Sequence, residues 1–164
     1  MTYTAPDIVL TAAHCYRSID NLAVRTNPHS LNDPQNGSQI FPVAESVVYP
    51  NSRLGSNHDF GILKLNGTSA LPLLRVNSDP QLPQLNESLT VGGWGVLEYR
   101  SSLLPQVLQV TNHVRYISSD ECVTMTIGGD QASYAGEITE DELCAYGRGY
   151  DACQGDSGTF WPYL

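Results

Sequence analysis

The sequence predicts an all-β fold, a sandwich or a barrel, and three observations carry that expectation. Short apolar stretches rich in β-branched and aromatic residues recur between turn signals made of Pro, Gly and Asn, and they alternate in places. Helix signals are few. Of the 164 residues, 41% are hydrophobic and only 15% charged, enough to fill a core beneath a surface built on Asn, Ser, Thr and Gln.

In chain order, "DIVLTAAH" (Asp7 to His14) reads as a strand, and "TAAHCY" at its end can make one helical turn. "AESVVY" (Ala44 to Tyr49) and "FGILKL" (Phe60 to Leu65) are the next two strand candidates. From Leu73 to Leu89, leucines alternate with Asn, Pro and Gln in neither a strand nor a helix period, so a linker is expected over 76–88, between portions 1–75 and 89–164. "LTVGGWG" (Leu89 to Gly95) and "PQVLQVTNHVRYI" (Pro105 to Ile117) follow as strands, and the lone "GGWG" is too weak to indicate a nucleotide loop. "SSDEC" has a Ser cap with acidic residues behind it, which suits a short helix before Cys122. "ELCAY" (Glu142 to Tyr146) and "TFWPYL" (Thr159 to Leu164) complete the strand candidates.

A net charge of −9, with only 8 Lys and Arg, leaves no basic stripe for phosphates and disfavours nucleic acid and anionic membrane surfaces as partners. No apolar run reaches the length of a membrane span, and the first ten residues carry no signal-peptide pattern. Asn-x-Ser/Thr acceptors stand at Asn36, Asn66 and Asn86. Cys15, Cys122, Cys144 and Cys153 form no Cys-x-x-Cys pair, which points away from a metal site and towards disulfides, in any of three pairings.

The chemistry gathers in "DACQGDSGTFW" (Asp151 to Trp161). Ser157, in a glycine-flanked turn one residue past a carboxylate, has the setting of a nucleophile, and a serine nucleophile needs a base. Four histidines are candidates: His14, His29, His58 and His113. His29 lies in the polar stretch "TNPHSLNDPQNG", where a solvated loop residue is the ordinary reading, and His113 sits in a strand run, where such a residue packs or faces solvent. His14 ends the apolar run "IVLTAAH" just before a cysteine, so a buried strand would carry its imidazole rigidly, and fixed geometry is a general base's first requirement. A carboxylate on one ring nitrogen sets the tautomer that frees the other, and Asp59, at the mouth of the "FGILKL" strand, is suited to this. Taken alone, Asp59 would simply end a loop.

"LTAAHC" (Leu10 to Cys15), "HDFGILKL" (His58 to Leu65) and "CQGDSG" (Cys153 to Gly158) together resemble the signatures of the trypsin/chymotrypsin family of serine endopeptidases. The order His, Asp, Ser is that family's, and Thr159 breaks the Gly-x-Ser-x-Gly elbow of the α/β-hydrolases. The resemblance runs from about Ile8 to Ser157, with "VGGWG" where the family begins its second barrel. It implies two six-stranded antiparallel Greek-key barrels, with His14 as general base, Asp59 as its orienter, and Ser157 as nucleophile. It also implies an oxyanion hole from the N–H groups of Gly155 and Ser157, whose donors contribute about 3 kcal/mol each. Asp151, six residues before the serine, matches the pocket floor that selects Arg or Lys, so the implied activity is hydrolysis of polypeptides after those residues. Protein inhibitors are further implied partners, secretion is the implied location, and no cofactor is implied.

By the same resemblance Cys122 and Cys144 pair, closing a loop worth roughly 3 kcal/mol, while Cys15 and Cys153 each match one half of a bridge whose other half is not in this chain. Against the family pattern the chain is truncated at both ends, with strands missing from each barrel. The amino group that would pair with Asp156 is among the missing parts, leaving an uncompensated carboxylate, so the chain expressed alone is expected to have little endopeptidase activity. Thr159 and Phe160 replace the family's usual Gly and Pro beside the nucleophile. The competing reading, a non-catalytic homologue with a binding or regulatory role, is weakened because all three triad residues are kept.

Overall fold

Side-chain alternation decides which residues of the central strands face inward. In the strand Gly61–Leu65, Gly61, Leu63 and Leu65 are buried while Ile62 and Lys64 are exposed, the period-two signature of a sheet with one covered face. The computed structural model describes residues 2–15, 20, 22–33, 37–50, 52, 58–98, 101–127, 130–131, 134, 136, 138–139 and 141–159. Its strands are β1 (Thr2–Ala5), β2 (Ile8–Thr11), β3 (Ala23–Arg25), β4 (Ile40–Val48), β5 (Gly61–Leu65), β6 (Ser88–Gly93), β7 (Gln109–Ile117), β8 (Thr126–Ile127), β9 (Asp130–Gln131) and β10 (Cys144–Tyr146). A 3-10 turn (Ala13–Cys15) and one helix, α1 (Ser119–Thr124), complete the elements among the described residues, and the all-β expectation holds.

The strands form a five-stranded sheet in the order β1-β2-β5-β4-β3, a three-stranded sheet in the order β10-β7-β6, and a two-stranded sheet of β8 and β9. Val9, Val24, Val43, Leu63 and Leu65 make a buried cluster under the larger sheet, flanked by Leu22, Phe41 and Leu71. Each such side chain contributes about 1.5–3 kcal/mol by leaving water. Leu89, Val91, Val114, Ile117 and Cys144 are buried on the smaller sheet.

The chain divides into two compact units: Met1–Val76, Gly92–Val110 and Ala152–Phe160 in the first, Asn77–Val91, Thr111–Asp151 and Trp161–Leu164 in the second. In the second, the Oγ of Ser118 caps α1 by accepting from the Glu121 N–H at 3.1 Å. Glu121 in turn holds the Arg115 guanidinium at 2.6 Å, and that hydrogen bond keeps the glutamate below and the arginine above their ordinary titration ranges. Cys122 and Cys144 are disulfide-bonded with Cα atoms 6.1 Å apart, the pairing the family resemblance implies.

Several details differ from expectation. β4 starts at Ile40, well before "AESVVY", and β7 starts at Gln109, after Pro105, which can donate no ladder hydrogen bond. Cys122 lies inside α1, not after it. The strand expected over "TFWPYL" falls, apart from Thr159, outside the described residues, as does the acceptor Asn36.

Candidate active site

Strand register brings the first two chemical groups together. β2 runs antiparallel to β5 with Leu10 opposite Ile62 and Thr11 opposite Gly61. Continued past the strand ends, the same register sets Ala13 opposite Asp59, and the Ala13 N–H donates to the Asp59 carbonyl at 3.2 Å. The 3-10 turn then rotates His14 onto the Asp59 side chain. One carboxylate oxygen, Oδ1, accepts the backbone N–H of His14 at 2.8 Å. The other, Oδ2, lies 2.5 Å from the ring's Nδ1. An acceptor-only carboxylate at that nitrogen assigns the proton to Nδ1 and leaves Nε2 with a free lone pair. Both side chains are about a quarter to a third exposed, at 30% and 25%, so the carboxylate is partly desolvated and the ring still reachable.

Ser157 reaches the same neighbourhood from the far end of the chain. Its carbonyl accepts from the thiol of Cys15, the residue after His14, at 3.7 Å. A Cβ at Gly158 would stand 2.8 Å from the Thr11 Oγ1 and 3.1 Å from the Ala12 nitrogen, so the serine turn lies directly on the Thr11–Cys15 segment. Gly155 and Gly158 have φ of 100° and 77°, conformations that side chains resist, which is why this turn reads Gly-Asp-Ser-Gly. Ser157 is exposed, and no hydrogen bond joins it to the His14 ring among the described residues. Within the turn the N–H of Asp156 bonds Cys153 and that of Thr159 bonds Asp156, whereas those of Gly155 and Ser157 have no partner among the described residues.

Two backbone N–H groups meet the Asp156 carboxylate. Its Oδ1 accepts the Gly95 N–H at 2.6 Å and its Oδ2 accepts the Cys153 N–H at 3.0 Å. A Cβ at Gly93 or at Gly95 would collide with this carboxylate, and the Val96 N–H also bonds the Gln154 carbonyl at 2.9 Å. The "GGWG" stretch, without assigned chemistry in the sequence, is thus the cradle of the serine turn.

The remaining candidates stand elsewhere. Asp151 is exposed and belongs to the second unit. His29 is exposed, and its carbonyl accepts from Leu108 at 2.8 Å. His113 packs on Tyr150 in the second unit, beside an open hollow of about 300 Å³ where Arg115 is already neutralised by Glu121. His58 stacks on Tyr49. No cluster of metal-ligating side chains occurs among the described residues.

Cys15 and Cys153 are free thiols. Partial burial, reinforced by the Asp59 carboxylate, pushes the Cys15 thiol up from its ordinary range. Fewer thiolates at a given pH mean slower attack. At pH 8, iodoacetamide is therefore expected to alkylate Cys15 more slowly than free cysteine, with the gap closing as pH rises, while Cys122 and Cys144 stay protected. Peptide mapping by mass measures this. A Cys15 that reacts as fast as free cysteine contradicts the partly desolvated, carboxylate-flanked setting of its thiol.

Known proteins share this arrangement of sequence and fold. The family model described as Trypsin matches residues 2–159. Trypsin delta of Drosophila melanogaster is 30% identical over 155 residues, spanning 93% of this chain and 58% of the relative. Human kallikrein-12 is 35% identical over 161 residues, spanning 92% and 58%. The chain therefore covers somewhat more than half the length of these relatives. Among solved structures, neuropsin, a serine protease expressed in the limbic system of mouse brain, superimposes with a TM-score of 0.79 at 29% identity, covering 97% of this chain and 69% of that one. With the family model spanning nearly every residue, from the first strand to the serine turn, the chain belongs to the trypsin family of serine endopeptidases.

Proposed function

We propose that the protein carrying this chain hydrolyses peptide bonds after Arg or Lys through an acyl-enzyme, with His14, Asp59 and Ser157 as its triad. The observation that carries the reading is the two-point grip of Asp59 on His14, with the Ser157 turn seated on the adjoining Thr11–Cys15 segment. The Nε2 of His14 takes the proton of Ser157 as Oγ attacks the carbonyl carbon, and Asp59 stabilises the imidazolium that forms. The same proton then passes to the leaving amine, and water repeats the sequence to free the acid. The N–H groups of Gly155 and Ser157 receive the developing oxyanion; both are without other partners among the described residues. Asp151 supplies the negative charge that selects a cationic side chain. Polypeptides are the substrates, protein inhibitors are further partners, and the protein acts outside the cell, in keeping with its disulfide.

The test uses the longest natural chain containing residues 1–164. A fluorophosphonate is expected to label Ser157, and Ser157→Ala to abolish both labelling and peptide hydrolysis. In a peptide library Asp151→Ser should reduce the preference for Arg and Lys by more than about tenfold, because a cation in a closed slot without its partner is poorly tolerated. Hydrolysis that survives Ser157→Ala overturns the triad, and cleavage after Phe or Leu overturns the role of Asp151.

A further inference from the structure

Asp59 sits at the tip of a three-residue turn, closed by the Phe60 N–H donating to the His58 carbonyl at 2.9 Å. The residue before it, His58, has a φ of 65°, in the left-handed region that costs a side-chain-bearing residue about 1–2 kcal/mol. Something must hold His58 there, because relaxing that one angle would swing the Asp59 side chain away from His14. The His58 ring lies flat on the ring of Tyr49, with centroids 4.6 Å apart and planes 9° from parallel. Tyr49 also holds the residue on the other side of Asp59: its N–H donates to the Phe60 carbonyl at 3.2 Å, and its ring meets that of Phe60 at 5.2 Å with a 50° tilt. Tyr49, one residue beyond the end of β4, thus grips both neighbours of Asp59, while the Ala13 N–H holds Asp59 itself through its carbonyl.

We infer that Tyr49, acting through its stack on His58, is a positioning residue that aims the Asp59 carboxylate at the two nitrogens of His14. The inference rests on the triad reading for its kinetic consequence, but its geometric content stands apart. Without the Tyr49 ring, His58 loses a stacked surface that helps to hold its left-handed angle. The turn opens, and Asp59 can then meet the His14 N–H or its Nδ1, but not both. The tautomer and tilt of the imidazole become loose, which lowers the rate of proton transfer and leaves substrate binding alone. A misplacement of about 1 Å in such a group costs about 10²-fold in rate.

The experiment combines ¹H NMR of ¹⁵N-histidine-labelled protein with kinetics on the longest natural chain containing residues 1–164. The Nδ1 proton of His14, hydrogen-bonded to a carboxylate, should give a low-field resonance that Tyr49→Ala abolishes and Tyr49→Phe, which keeps the ring, restores. His58→Gly allows the left-handed angle without strain but has no ring to pin it there, so its resonance should weaken, and a His58→Gly protein with the full wild-type resonance also overturns the inference. It also serves as the second variant if Tyr49→Ala fails to fold. The kcat of Tyr49→Ala should fall about 10²-fold with KM unchanged. A Tyr49→Ala protein that keeps the resonance and the wild-type kcat overturns the inference, as does a Tyr49→Phe protein that loses them equally, or a wild type with no low-field proton. A protein that shows the resonance pattern but cleaves no peptide would leave the Tyr49 assignment standing and sink the protease reading.

Discussion

Asp59→Asn is expected to lower peptide hydrolysis by about 10⁴-fold while leaving the fold in place. The two oxygens of Asp59 have different partners: Oδ1 receives a backbone N–H, and Oδ2 faces Nδ1 of His14. An asparagine would keep its oxygen on the backbone N–H, which can only donate, and would turn its NH₂ towards the ring. Nδ1 must then accept, the proton moves to Nε2, and the nitrogen that should take the Ser157 proton carries one of its own. The shape of the site survives and its chemistry is inverted. The measurement is kcat/KM for an Arg-containing peptide beside a thermal unfolding curve. An Asp59→Asn enzyme within tenfold of wild type would show that tautomer control is not what Asp59 supplies.

Gly95→Ala should be among the most damaging single methyl additions in the first unit. Its Cβ would occupy the space of the Asp156 carboxylate, which accepts N–H bonds from Gly95 and Cys153. Displacing the carboxylate puts at risk two hydrogen bonds to a charged group, each worth about 1.5–3 kcal/mol, and with them the shape of the Gly155–Ser157 turn. The expected result is a loss of a few kcal/mol in urea unfolding, with slower labelling of Ser157 by a fluorophosphonate. Gly92→Ala is the internal control, because a Cβ there meets nothing nearer than 3.5 Å, an ordinary contact. If Gly92→Ala and Gly95→Ala behave alike, the cradle is not what shapes the serine turn.

What the sequence reveals of this site follows from how local each feature is. "LTAAHC", "HDFGILKL" and "CQGDSG" each hold a reactive side chain together with the apolar or glycine neighbours that fix it, so the chemistry and its local support are read together. The apolar strands β2, β5 and β6 were legible for the same reason. β1, β3, β8 and β9 are not, because Thr2–Ala5, Ala23–Arg25, Thr126–Ile127 and Asp130–Gln131 are short and mix polar with apolar residues, whereas the equally short β2 is an apolar run. The N–H partners of Asp156 are not legible, because Gly95 lies 61 residues away and donates through the backbone, which leaves no trace in residue identity. The role proposed for Tyr49 is not legible either, because it depends on the backbone angle of His58. The disulfide was a different case: spacing left three pairings open, and only the family resemblance chose the one observed.

The spans bridged within the site also set an order for its making. Asp59 bonds His14 across 45 positions, and both strands that align them are complete once Leu65 has been added. The Cys15 contact with Ser157 spans 142 positions. At about 5–20 residues per second of synthesis, roughly 5–20 s separate emergence of the base and its carboxylate from emergence of the hydroxyl they would activate. In the proposed triad, the base and its carboxylate are therefore synthesised well before the nucleophile.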